Sequence, residues 1–354
     1  VSVGDAEEAL LAMKNPYDTI ALQAAGIGYR ADYAYHDGKY YVYFGIVPVL
    51  LLYLPYYLLT GGALQNYVAV FVFFAGFIIA AAGFVYELMK RYFKEQPFYL
   101  WAVGTGMLVG SYSMFYLLIR PDLYHVPIVA SAMFATGGLW LYLAGLNRPK
   151  KAVGLYAFGS FCMALTAGCR PQFILFAALA VVLFWERVFV KRELFSKKGW
   201  RQTAALVVPY VLIAAGLMAY NALRFGSPFD FGASYSMTSN DMTHRGTNLE
   251  RILYGIWYFL FEPMQLEGKF PYLQSASIAT DYLGKLVTES WFGGIFACSM
   301  LTWGIFLLGR LKKNGVLSKE LTWFCSISLA AALVIGCVDA NGAGILIRYG
   351  CDVS

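Results

Sequence analysis

The stretch Tyr67–Met89 (YVAVFVFFAGFIIAAAGFVYELM) runs directly into Lys90, Arg91 and Lys94. A helix needs about 20 mostly apolar residues to cross the hydrocarbon core of a bilayer. Tyr67–Met89 meets that length, and its one charged residue, Glu87, sits beside the basic end. Short loops rich in Lys and Arg stay on the cytoplasmic side. The stretch therefore reads as a membrane span with a direction.

Working outward, the same length criterion marks further spans near 99–119, 125–146, 152–168, 172–186, 203–222, 292–309 and 321–339, about eight in all. Basic residues collect between them at 90–98, 147–151, 186–201 and 310–320, which hold more than half of the 27 Lys and Arg. The loops alternate if 120–124, 169–171, 223–291 and 340–354 face outward, and most of the 21 acids then fall outside. The expected fold is an all-α polytopic transmembrane bundle in a plasma (inner) membrane. Its parts are an outer loop with an interfacial helix (1–66), a transmembrane core (67–222), an outer loop with an amphipathic helix (223–291) and a final transmembrane segment (292–354).

Composition agrees: 59% of the 354 residues are hydrophobic and 14% charged, against roughly 45–50% and 25% in a soluble domain. The formal charge of +6 sits in short loops rather than on one face, which argues topology and no nucleic-acid partner. Six cysteines lie in or beside apolar segments without a paired spacing and read as small core residues. The chain opens at Val1 and stops at Ser354 just after a polar step, and both ends read as cut.

Tyr41–Thr60 (YVYFGIVPVLLLYLPYYLLT) is long enough to span, but crossing there would put residues 1–40 in the cytoplasm. That segment is acidic, with Asp5, Glu7, Glu8, Asp18, Asp32 and Asp37 against Lys14, Arg30 and Lys39. Pro48 and Pro55 each remove a backbone donor, and the tyrosines favour an interface. A kinked helix along the outer interface is expected, with a Pro-kinked span as the other reading. Leu249–Phe261 (LERILYGIWYFLF) reads as a second interfacial helix.

All three histidines, His36, His125 and His244, fall on the outer side in this topology. The turn Arg120-Pro121-Asp122-Leu123-Tyr124-His125 places an acid and an imidazole three residues apart at a membrane boundary. Asp122 and His125 would share a helical face as a proton-handling pair or as two ligands of a divalent metal. Alternatively Asp122 caps the following helix. Arg170, Arg224 and Arg348 lie near outer turns, where guanidinium groups suit phosphate, and each is otherwise a snorkelling or paired arginine. Nucleotide-binding and serine-hydrolase motifs are absent.

Several segments carry a resemblance: Asn15-Pro16-Tyr17-Asp18, Asp37 through Gly45 with Pro48, Arg120-Pro121 through His125, Arg170-Pro171, Asn221 through Phe229, and Arg348-Tyr349 with Asp352. In this order they resemble the multi-spanning C-type glycosyltransferases, which include protein O-mannosyltransferases and aminoarabinose transferases. The resemblance implies a glycosyltransferase that passes a sugar from a polyprenyl-phosphate carrier in the outer leaflet to an extracytoplasmic acceptor (glycan, lipid or protein). It implies catalytic roles for Asp32, Asp122 and His125, donor-phosphate binding by Arg120, Arg170, Arg224 and Arg348, and a substrate lining of His36, Lys39 and Tyr41. The cofactor candidate is a divalent metal at Asp122 and His125. The family's acidic motif follows a first transmembrane helix that this sequence does not carry, so its main carboxylate is expected ahead of Val1. The competing reading is a flippase or transporter of lipid-linked sugars, which would bury ionisable groups near the bilayer midplane.

Overall fold

A computed structural model describes residues 3–42, 45–111, 114–197, 199–238, 246–270, 272–282, 285–342 and 344–353. The chain is mostly helical. Among the described residues six helices are long and apolar enough to cross a membrane: α1 (Asn66–Tyr92), α2 (His125–Asn147), α3 (Pro149–Cys169), α4 (Pro171–Val190), α5 (Trp200–Phe225) and α6 (Lys319–Gly342). These make the chain a multi-pass membrane protein.

Two of the eight expected spans are not continuous helices. The 99–119 region breaks into Tyr99–Val109 and Met114–Ile119, after a run that contains Gly104, Gly106 and Gly110. The 292–309 region is a short helix, Ile295–Cys298, a 3-10 stretch, Met300–Leu307, and the helix Leu308–Lys313. Glycine costs about 1 kcal/mol against alanine inside a helix, which hydropathy alone does not register.

Lipid is as apolar as leucine, so helices associate in it through close packing over small residues. Gly76 and Gly83 of α1 seat Met133 and Trp140 of α2, and Gly145 of α2 seats Tyr156 of α3. A Cβ on Gly83 would stand 2.2 Å from the Trp140 ring. Gly83→Ala is expected to cost about 1–3 kcal/mol by overpacking, read as a lower unfolding midpoint in detergent. Gly154→Ala in α3, where a Cβ meets nothing within 4 Å, is expected to leave that midpoint unchanged or raise it.

Contacts between helix ends order the loops. Buried Glu87 near the end of α1 pairs with Arg148 at 2.5 Å and accepts from the Asn147 amide at 2.8 Å, both at the end of α2. The two helices are therefore parallel neighbours, and the chain joining them has to return along the bundle. Arg91 meets Glu320 at 3.5 Å, while Arg187 donates to the Tyr156 hydroxyl at 3.0 Å and to Gln202 at 2.7 Å. Loops 90–98, 147–151, 186–201 and the start of α6 thus gather at one end, as their charge led us to expect.

The helix Ile46–Thr60 belongs to the other end. Gly45 packs so tightly on the Cys169 carbonyl and Pro127 that a Cβ would fall 2.8 Å and 3.0 Å from them. Farther on, the Tyr53 hydroxyl donates to Asn66 Oδ1 at 2.7 Å, at the first residue of α1. Both anchors lie at the same end of the bundle, so the helix does not run its length. Between Pro48 and Pro55 the backbone opens into one π-helical turn, Val49–Tyr53, where the missing proline donors relax the ordinary ladder.

A small cap covers this end. Helices Val3–Ala12 and Thr19–Ala24 and the hairpin Ala34–His36/Lys39–Tyr41 bury Leu10, Leu22 and Tyr35 around Met237. Asp32 N–H donates to the Met237 carbonyl and Met237 N–H to the Tyr33 carbonyl, each at 2.9 Å. Asp18, in the segment noted for resemblance, caps the second helix, accepting from Ile20 and Ala21 N–H at 3.1 Å.

The amphipathic helix is present as Leu249–Leu260, with Asn248 as its cap. It packs on the end of α6, where Gly255 seats Ala340 and buried Arg251 donates to the Ala340 carbonyl at 2.9 Å. The all-α expectation holds; among the described residues the strands form three short two-stranded sheets, of which the longest pairs Ala276–Tyr282 with Lys285–Trp291 in antiparallel register. A search for long apolar runs does not see such short strands.

Candidate functional site

The site region begins at the turn Cys169-Arg170-Pro171. Proline disfavours the helical state in the residue before it, and Arg170 leaves the helix at φ −140°, ψ 110°. Its side chain points inward and joins two carboxylates, Asp339 at the end of α6 and Asp352 beyond it, each at 2.7 Å. Gln172 adds a hydrogen bond to Asp339 at 3.0 Å. Burial opposes the charge on Arg170, but Asp339 and Asp352 outweigh it and raise its pKa above the usual arginine value. Burial also pushes the Asp352 carboxyl well above the ordinary range, with Arg170 pulling it partly back. Arg170 is thereby a paired cation that ties α3, α6 and the C-terminal segment together.

Arg348 has a different environment. Its guanidinium lies 4.9 Å from the Tyr124 ring centroid and 5.0 Å from that of Tyr349. No described carboxylate forms an ion pair with it, and its buried Nε has no hydrogen-bond partner among the described residues. The Tyr124 hydroxyl in turn donates to Asp32 Oδ2. Asp32 is half-buried, in the left-handed region at φ 61°, and held there through Met237. Only glycine, asparagine and aspartate visit that region readily, so the turn suits an aspartate. Tyr349 also lies 4.9 Å from Arg170, and its hydroxyl accepts from Arg348 at 3.4 Å, so one aromatic residue is shared by both guanidinium groups.

His125 is buried in the first turn of α2, 5.6 Å from the Tyr116 ring, with Nδ1 unpartnered among the described residues. Asp122 is exposed, accepts from the Leu123 N–H at 2.6 Å and offers its carbonyl to the His125 N–H. The side chains of Asp122 and His125 share no hydrogen bond among the described residues, and Asp122 does not cap α2 either: Tyr124 holds the cap position, with no side-chain cap bond. Arg120 is exposed at the same turn. Among the described residues no group of three His, Cys, Asp or Glu could hold a metal ion.

A second cluster lies on the other flank of the Cys169 turn. Arg224 stacks on Tyr220 at 3.8 Å and on Phe225 at 4.6 Å, and donates to Val42 O at 3.3 Å and Asn221 Oδ1 at 3.0 Å. His36 and Tyr41 pack on Phe225 at 5.7 Å and 5.5 Å. His36 also faces Asp37 at 3.5 Å, and exposed Lys39 pairs with His36 across the hairpin. A narrow cleft lined by Gly45, Cys169, Pro171, Asn221 and Arg224 opens here. The sequence candidates therefore form two groups, Asp32 with Arg348 beside Arg170, and Arg224 with His36 and Tyr41. His244 lies outside the described residues.

Comparison with protein-family models, with curated proteins and with solved structures finds no match. Sequence reasoning missed Asp339 and gave Tyr124 and Tyr349 no role. An acid closing an apolar helix is costly unless paired, and that was the signal available for Asp339.

Proposed function

We propose that the chain is a glycosyltransferase of a plasma membrane, moving a sugar from a polyprenyl-phosphate donor to an extracytoplasmic acceptor. The observation that carries this reading is the chain of contacts Asp32–Tyr124–Arg348. It brings together on one tyrosine a carboxylate and a guanidinium with no ion pair among the described residues, at the bundle end opposite the basic loops. In this reading the basic end faces the cytoplasm, and Ile46–Thr60 lies along the outer interface where a polyprenyl chain would approach.

Asp32 takes the proton of the acceptor hydroxyl as its oxygen bonds to the anomeric carbon. The bond from that carbon to the donor phosphate oxygen breaks, and the polyprenyl phosphate leaves with the electron pair. Arg348 faces the charge that develops on it, a contribution that grows in a poorly hydrated site. Arg170, already neutralised, positions Tyr349 and the C-terminal segment instead. Arg224 and its aromatic neighbours line the approach. The resemblance adds an expected carboxylate ahead of Val1, so the assay belongs on the full-length protein.

The test is reconstitution with polyprenyl-phosphate sugars and measurement of carrier release. Sugar transfer with release of carrier supports the reading; labelled lipid crossing the bilayer with no carrier consumed replaces it with a transporter. Arg348→Ala is expected to lower turnover by about 10²- to 10³-fold, the usual effect of removing one group that faces developing charge. Asp122→Asn is expected to retain turnover, since its side chain serves the Leu123 N–H.

A further inference from the structure

A large cavity lies at the opposite end from Asp32. It encloses about 570 Å³ among α1, α2, α4 and α6, within the roughly 300–1,000 Å³ of small-molecule sites. Leu146, Val182, Leu183 and Ile327 give it apolar walls, and Trp185 and Trp323 stand on its margin, 54% and 64% exposed on the outside of the bundle. Arg91, Arg187 and Lys319 line the polar part, with Glu186 and Glu320.

The ion pairs there are unevenly spent. Arg91 is held by Glu320, Arg187 by Glu193, and Glu186 by Lys191. Lys319 is exposed and takes part in no ion pair among the described residues. It is the first residue of α6, whose first turn Ser318 caps by accepting from the Leu321 N–H at 3.1 Å. Loops 90–98, 147–151 and 186–201 add further positive charge around the same end. Tryptophans at a span end settle at headgroup depth, which places the mouth at the level of lipid phosphates and the apolar walls at the level of their chains.

We propose that this cavity is a binding site for an anionic phospholipid of the leaflet that faces the basic loops, with its phosphate at Lys319 and Arg91 and part of an acyl chain between Val182, Leu183 and Ile327. The occupant is a lipid rather than a free phosphate, because the walls away from the mouth are apolar and the cavity lies between spanning helices. Basic pockets between membrane helices take anionic headgroups on this principle. The site is separate from the Asp32–Arg348 region and does not depend on the transfer reading.

The test titrates phosphatidylglycerol, phosphatidylcholine or inorganic phosphate into the detergent-purified full chain and follows its thermal unfolding midpoint and tryptophan quenching by brominated phosphatidylglycerol. Saturable stabilisation by phosphatidylglycerol, with quenching, is expected, and neither phosphatidylcholine nor phosphate should reproduce it. Lys319→Glu is expected to weaken the response at least tenfold. Val181→Trp, which fills the cavity from its lipid-facing side without touching a charge, is expected to abolish it while the unliganded midpoint stays within a few degrees. An equal response to phosphatidylcholine, a full response to inorganic phosphate, or an unaltered response in Lys319→Glu overturns the proposal.

Discussion

Arg170→Leu is expected to destabilise the protein by about 3–5 kcal/mol, the usual cost of removing one partner from a buried ion pair. Asp339 and Asp352 would be left as buried carboxylates 2.7 Å from an absent cation, and the contacts joining α3, α6 and the C-terminal segment would go with it. The variant also carries a pH signature. A buried carboxyl without its cation has a folded pKa above its unfolded value, so its penalty is absent below the unfolded pKa and grows as pH rises through the folded one. Burial already raises the Asp352 pKa with Arg170 in place. Arg170→Leu should therefore unfold at a higher temperature at pH 5 than at pH 8. Adding Asp339→Asn and Asp352→Asn should recover most of the loss. Unfolding midpoints in detergent at the two pH values check both statements, and a pH-independent loss would remove the ion pairs as the cause.

Asp32→Asn is expected to reduce sugar transfer by about 10²- to 10⁴-fold, the range of a general base, with little effect on folding. Asparagine tolerates the left-handed backbone that Asp32 adopts at φ 61°, and its amide oxygen can still accept from the Tyr124 hydroxyl. A rate loss with an unchanged unfolding midpoint therefore reports chemistry and not collapse of the cap. Tyr124→Phe is the companion variant. It removes the hydroxyl that holds Asp32 but keeps the ring under Arg348, so its loss should be smaller than that of Asp32→Asn. Equal activity of Asp32→Asn and wild type would move the base to another carboxylate.

How much of this was legible in the chain depends on the range of the interaction that decides each feature. The six long helices, the basic loops that meet through Arg148–Glu87 and Arg91–Glu320, and the amphipathic segment packed on α6 follow from runs of apolar residues and the charges bounding them. The helix Ile46–Thr60 was marked by Pro48 and Pro55 and by the acidity of the residues before it, while its two anchors, at Cys169 and Asn66, are tertiary. Breaks in the 99–119 and 292–309 regions and the hairpin Ala276–Trp291 escaped the sequence reading. Hydropathy averages over the glycines and short alternating strands that decide them.

The candidate site divides on the same line. Asp32, His125, Arg170 and Arg348 were recognisable as ionisable groups in outer turns, because desolvation makes such groups expensive at a membrane boundary. Their difference in role was not recognisable. Arg170 and Arg348 look alike in sequence, each beside an aromatic or proline in an outer stretch. Only the tertiary structure brings Asp339 and Asp352 to the first and leaves the second on Tyr124 and Tyr349. The sequence by itself determined the membrane environment and the gathering of basic charge at one end of the bundle, since those depend on transfer free energies summed along the chain. Which arginine is neutralised depends on carboxylates 169 and 182 residues away in the chain from Arg170, and a distance of a few ångströms across such a separation is set only by packing.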